Sequence, residues 1–142
     1  MIYTPKTKRA LKLCFEAHKN KVDKSGTPYV FHPFHVAEQM EDEASTIVAL
    51  LHDVVEDTDY TLDDIAALDF RAEVVEALSL LTHDKVTPYL EYIASLRSNP
   101  IARAVKRADL LHNSDLSRLD TVTLKDEERV RKYKAALAIL DD

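Results

Sequence analysis

The sequence predicts an all-α fold, on three observations. Apolar residues recur at helical spacing along most of the chain, and nothing alternates with period two for long enough to make a strand. One glycine and five prolines in 142 residues supply too few turn residues for a β architecture. The connections between helical stretches are short, which sets neighbouring helices against one another. No repeat, low-complexity tract or linker divides the chain, so residues 1–142 are expected to form one compact helical domain.

The first helix is expected from Thr4 to about Asn20, with Ala10, Leu11, Leu13, Cys14, Phe15 and Ala17 on its apolar side. Asp23 to Pro28 reads as a turn holding the only glycine, Gly26. Pro33 opens a second helix, since its missing amide proton does little harm in a first turn. A third helix starts at Ala44 or Ser45 and runs on through His52, Asp53, Glu56 and Asp57. Thr61 with Asp64 caps a short helix through Leu68. Further helices are expected over Arg71–Leu81, Tyr89–Ser98, Pro100–Leu119 and Leu124–Leu140.

Composition narrows the function. Hydrophobic residues make up 46% and charged residues 31%, the balance of a globular protein. No apolar run approaches the roughly 20 residues that cross a bilayer, and Met1–Lys6 lacks the apolar core of a signal peptide. Cys14 is alone, as expected in a reducing cytoplasm. A net charge of −6 argues against non-specific nucleic-acid binding, and the lack of a long apolar run leads to an expectation of no membrane partner. Three basic clusters remain: Lys19, Lys21 and Lys24; Arg103, Lys106 and Arg107; and Arg129, Arg131, Lys132 and Lys134. Most of these are expected to be solvated helix faces. Oligomeric state is left open.

The informative segment is Ile47–Thr58. Five apolar residues, Ile47 to Leu51, run directly into His52, Asp53, Glu56 and Asp57. On one continuous helix Glu56 lies a turn beyond His52, and Asp57 a turn beyond Asp53. Carboxylates beside an apolar run are costly to bury without positive charge, and a divalent metal supplies it through imidazole and carboxylate ligands. Two further residues have comparable contexts. His32 precedes Pro33 in Gly26–Pro33, and Asp109 is bounded by apolar residues in Ala104–Asn113. With His52 and Asp53 they offer two imidazoles and two carboxylates, a set suited to Mn, Fe, Co or Zn. Glu56 and Asp57 are poorly suited to capping, because carboxylates oppose the dipole at a helix C-terminus. His35 reads as a packed residue near the rim; His18, His83 and His112 read as surface or helix-packing residues, and Cys14 as core.

The order His32, His52-Asp53, Asp109 resembles the signature of HD-domain phosphohydrolases. The surrounding segments Gly26–Pro33, His52–Thr58 and Val105–Asn113 resemble the hydrolase domain of RelA/SpoT homologues, which remove the 3′-pyrophosphate of ppGpp and pppGpp. With no residues left for a synthetase or regulatory domain, the resemblance is nearest to stand-alone small alarmone hydrolases. It implies an HD-domain helical bundle in which His32, His52, Asp53 and Asp109 hold a manganese ion. It further implies that Glu56 and Asp57 position or deprotonate the attacking water, and that Lys24, Asn113, Arg129 and Tyr133 contact the nucleotide substrate.

Two positions depart from that pattern. Asp23 stands where these hydrolases commonly carry an arginine packed on the guanine, and Asp115 where a basic residue often follows the asparagine. Both bear on the substrate rather than the reaction. The expected activity is therefore hydrolysis of ppGpp or pppGpp to GDP or GTP and pyrophosphate. The alternatives are an HD phosphohydrolase for another nucleotide or phosphorylated cofactor, and a non-catalytic alarmone-binding domain.

Overall fold

In the computed structural model, which describes residues 1–142, nine α-helices and one 3₁₀ turn follow in order. They are α1 (Pro5–His18), α2 (Phe31–Glu38), α3 (Glu43–Leu51), α4 (Val54–Asp57), α5 (Leu62–Ala66), α6 (Ala72–Leu81), α7 (Tyr89–Ser95), α8 (Pro100–Asn113), the 3₁₀ turn Leu116–Arg118 and α9 (Leu124–Leu140). There is no strand, only an isolated bridge between Val22 and Pro28. No helix is long and apolar enough to cross a membrane.

Helix α3 is the axis of the molecule. Asp42 caps it by accepting from the Ser45 amide at 2.7 Å, and Ala44 through Leu51 are all buried. A helix apolar on every side must be covered on every side, and α1, α2, α6 and α8 pack around it. Helix α9 closes the bundle against α7 and α8. The buried core of 26 residues draws on all nine α-helices.

Capping chemistry sets several boundaries. The side chains of Thr4, Thr61 and Thr123 each accept from the amide three residues on, and their own amides donate back to the side chains of Thr7, Asp64 and Asp126, satisfying otherwise unpaired helix-end donors. Asn99 caps α8, with Pro100 at its first position.

Four expected boundaries shift. Helix α2 begins at Phe31, so Pro33 lies within its first turn rather than at its start. The helix from Tyr89 stops at Ser95, and the one after Thr61 stops at Ala66. The helix from Pro100 ends at Asn113, because Asp115 turns extended and its carboxylate accepts from the Ser117 amide and hydroxyl. Such local side-chain bonds compete with helix continuation. The predicted continuous helix through Ile47–Asp57 is broken at His52 and Asp53 into α3 and the single turn α4. There the His52 ring meets the Ala49 carbonyl at 2.5 Å, so a side chain occupies an acceptor at the end of α3.

Candidate active site

The four expected ligands meet at one point. His32 comes from α2, His52 and Asp53 from the break between α3 and α4, and Asp109 from α8. His32 Nε2 lies 2.8 Å from Asp109 Oδ1 and 3.9 Å from Asp53 Oδ2. His52 Nε2 lies 3.1 Å from Asp53 Oδ2 and 3.6 Å from Asp109 Oδ1. Ligating atoms of His32, His52 and Asp109 all fall within 4.8 Å of one another, and all three side chains are buried.

Each imidazole is held from behind. His52 Nδ1 faces the Ala49 carbonyl, which places a proton there and turns Nε2 toward the carboxylates. That buried Nε2 makes no hydrogen bond of its own. His32 Nδ1 lies 2.7 Å from His112 Nδ1, and the two rings are nearly coplanar at 7°. One nitrogen of that pair must donate. Burial, followed by the charges of Arg118 and His32, pushes His112 down to about 4, so His112 is a neutral member of the pair. His112 is stacked in turn on His35, with ring centroids 4.0 Å apart.

The carboxylates are braced in the same way. Tyr29 donates its hydroxyl to Asp53. Asp109 Oδ1 accepts from Asn113 Nδ2 at 3.0 Å, and Oδ2 from Lys106 Nζ at 2.9 Å. Burial alone would raise the Asp109 carboxyl, but the Lys106 charge, the His32 hydrogen bond and the nearby His52 ring reverse that and hold it well below the usual range. Asp53 is likewise raised by burial, then drawn down to about 2 by His52. Both stay ionised, as cation ligands must. Two imidazole nitrogens, one of them (His52 Nε2) buried without a hydrogen-bond partner, and two ionised carboxylates make a donor set that fits a divalent metal.

Glu56 and Asp57 stand on the exposed rim just beyond the cluster, in α4. Glu56 accepts from the His83 amide, and His83 stacks on Tyr92 at 4.3 Å. Burial, reinforced by neighbouring Asp53, raises the Asp57 carboxyl, a shift toward better proton acceptance. Because α4 is a single turn, a helix-dipole argument about this pair has little hold.

Beside the cluster opens a cavity of about 320 Å³. Lys24, Asn113, Arg129 and Tyr133 all line it, so the four expected nucleotide contacts are brought together from the 23–28 turn, α8 and α9. Asp23, Asp115 and Arg118 line it too. A larger cavity, about 650 Å³, is bordered by α2, α3 and α8 and contains none of the four ligands; the smaller one adjoins the chemistry through Asn113 and Tyr29.

Several residues play parts that the sequence reading did not give them. Lys106 is no solvated face but a partly buried cation on Asp109; its position one turn before that aspartate was a usable signal. Tyr29, inside the Gly26–Pro33 segment, braces Asp53. His112 and His83 touch His32 and Glu56 rather than lying on the surface. His18 is 1% exposed, has no hydrogen-bond partner, and packs on Tyr29 with centroids 5.0 Å apart.

Comparison with known proteins agrees with this geometry. Residues 10–109 match the family model described as HD domain. The chain is 42% identical over 135 residues to the guanosine-3′,5′-bis(diphosphate) 3′-pyrophosphohydrolase MESH1 of Mus musculus, covering 84% of this chain and 74% of that protein. It is 40% identical over 127 residues to the same-named protein of Homo sapiens, covering 81% of this chain and 70% of that one. Among solved structures it resembles a metazoan ortholog of SpoT that hydrolyzes ppGpp and plays a role in starvation responses. The TM-score is 0.80 at 27% identity, over 99% of this chain and 88% of that one.

Proposed function

The chain belongs to the HD domain family, and from that premise we propose that it is a metal-dependent hydrolase removing the 3′-pyrophosphate of ppGpp and pppGpp. The observation that carries this reading is the meeting of His32, His52, Asp53 and Asp109 beside a cavity lined by Lys24, Asn113, Arg129 and Tyr133. Water adds to the phosphorus bonded to O3′, the P–O3′ bond breaks, and O3′ takes up a proton. The products are GDP or GTP and pyrophosphate.

His32, His52, Asp53 and Asp109 are the residues that would hold the metal, and manganese is the ion we assign to a set of two nitrogen and two oxygen donors. When bound, such an ion supplies Lewis acidity toward phosphoryl oxygen and a lowered water pKa. Glu56 and Asp57, on the rim beside that point, orient the attacking water and take its proton. Lys24 and Arg129 offer positive charge to the 5′-phosphates, and Asn113 offers an amide donor from the same side as Asp109. Residues 1–142 act as one hydrolase domain, a reading supported by the single core shared by all nine helices. The lone, buried Cys14 supports a reducing cytoplasm as its compartment.

Purified protein with manganese and ppGpp, followed by release of GDP and pyrophosphate, tests the reading. Turnover should vanish in Asp53→Ala, with metal binding lost in the same variant. An Asp53→Ala protein that still turns over would sink the assignment.

A further inference from the structure

The cavity beside the ligand cluster carries two groups of charge. Lys24 and Arg129 lie within electrostatic reach of each other. Asp23, Arg118 and Asp115 form the second group, with Arg118 Nη2 3.5 Å from Asp23 Oδ2.

The Asp23 carboxylate is fixed by its own loop. Its Oδ1 accepts from the Ser25 amide at 2.9 Å, the Ser25 hydroxyl at 2.7 Å and the Thr27 amide at 3.0 Å. Gly26, at φ +82°, lets the chain close around it. All of that falls on one oxygen. Oδ2 is left with the long contact to Arg118, whose guanidinium is anchored separately on the His112 carbonyl at 3.0 Å. A pre-set acceptor and a flat cation therefore stand side by side in the wall of the cavity.

Phosphate groups are repelled by a fixed carboxylate and drawn to Lys24 and Arg129. The base is the uncharged ring of the nucleotide and the part suited to the Asp23 side. A carboxylate can only accept. Guanine presents two adjacent donors there, N1–H and the N2 amino group, whereas adenine turns a lone pair at N1 toward the same oxygen. Resting on the hydrolase reading above, we propose that Asp23 Oδ2 accepts from the N–H edge of guanine and makes the site select guanine over adenine nucleotides. Arg118 holds that oxygen in place and offers its planar face to the base.

The test compares kcat/KM for guanosine and adenosine 3′,5′-bis(diphosphates) in the wild type, Asp23→Asn and Asp23→Ser. Asparagine can keep the Oδ1 bonds to Ser25 and Thr27 and places an NH₂ where Oδ2 stood. Serine keeps a turn-forming oxygen and removes the acceptor. Wild type should prefer guanine. Both variants should lose roughly ten- to a hundred-fold on the guanine substrate, through KM rather than kcat, with the adenine substrate unchanged or improved. Variants that keep the wild-type preference overturn the proposal, as does a wild type without one. Should the wild type hydrolyse neither substrate, the hydrolase reading fails separately. Displacement of a fluorescent guanine nucleotide by GDP and by ADP then decides recognition alone: a GDP preference lost in Asp23→Asn supports it, and equal displacement overturns it.

Discussion

The ligand cluster and the Asp23–Arg118 wall lie side by side and are built by opposite means. The cluster is assembled from α2, the α3–α4 break and α8, with His32, His52 and Asp109 buried and braced by residues of α3 and α8, and Asp53 braced by Tyr29 from the turn before α2. Its shape comes with the core. The wall comes from the 23–28 turn and the segment after α8, and its hydrogen bonds are mostly local: Asp23 to Ser25 and Thr27, Asp115 to Ser117. On the assignments proposed above, the contrast separates reaction from selectivity. Loops on a rigid scaffold can vary what is recognised while the packed elements hold what is done.

Three substitutions probe that separation, from the largest expected effect down. Lys106→Met strikes the packed side by leaving Asp109 buried without its cation. Loss of one partner of a buried pair should cost about 3 kcal/mol of stability, read from urea unfolding in chelator. Added manganese should narrow the deficit, since both cations serve the same carboxylate; a deficit indifferent to metal would mean that Lys106 and the metal site are uncoupled.

His112→Phe tests the junction between the two regions, because His112 faces His32 through its ring and Arg118 through its carbonyl. Phenylalanine keeps an aromatic face for His35 and removes the hydrogen-bond partner of His32. Manganese affinity by calorimetry should fall roughly ten- to a hundred-fold. Displacement by GDP should not change, because the carbonyl remains. Equal losses in both assays would erase the distinction between the regions.

Asp42→Ala touches neither region and serves as the baseline, removing the cap of α3 at about 1 kcal/mol. Hydrogen bonds from the Ser45 amide and hydroxyl hold the Asp42 carboxyl below its usual value. A depressed carboxylate stabilises above the unfolded value and loses that contribution as pH falls through the folded one. The gap between wild type and variant should therefore be full near neutrality and close in acid. A gap that is flat with pH would remove the ionised cap from the account.

The same contrast explains how much the sequence revealed. His32, His52, Asp53 and Asp109 were legible because each is a polar residue in an apolar setting, which helical periodicity does not otherwise require. Helix α9, expected over about Leu124 to Leu140, lies there, with Thr123 and Asp126 forming its capping box. Lys106 and His112 were not, because a basic residue and a histidine on an amphipathic helix look the same whether they face water or a buried carboxylate. The end of α8 was overrun because Leu116 and Leu119 continue an apolar spacing that the Asp115 turn interrupts. The Asp23–Arg118 contact joins residues 95 apart in sequence, a pairing that no local pattern encodes.

The break between α3 and α4 has a consequence of its own. Successive side chains on an unbroken helix diverge by about 100° in projection, so a histidine and the aspartate beside it would aim at different neighbours. Here they converge, with His52 Nε2 3.1 Å from Asp53 Oδ2. The irregular pair works like a knuckle, turning two consecutive positions into a pincer that a straight rod could not form. Mutations that lengthened α3 through this point would leave every ligand in the sequence and still dismantle the grip. Helix propensity at residues 52–54 is thus a quantity on which metal affinity should depend.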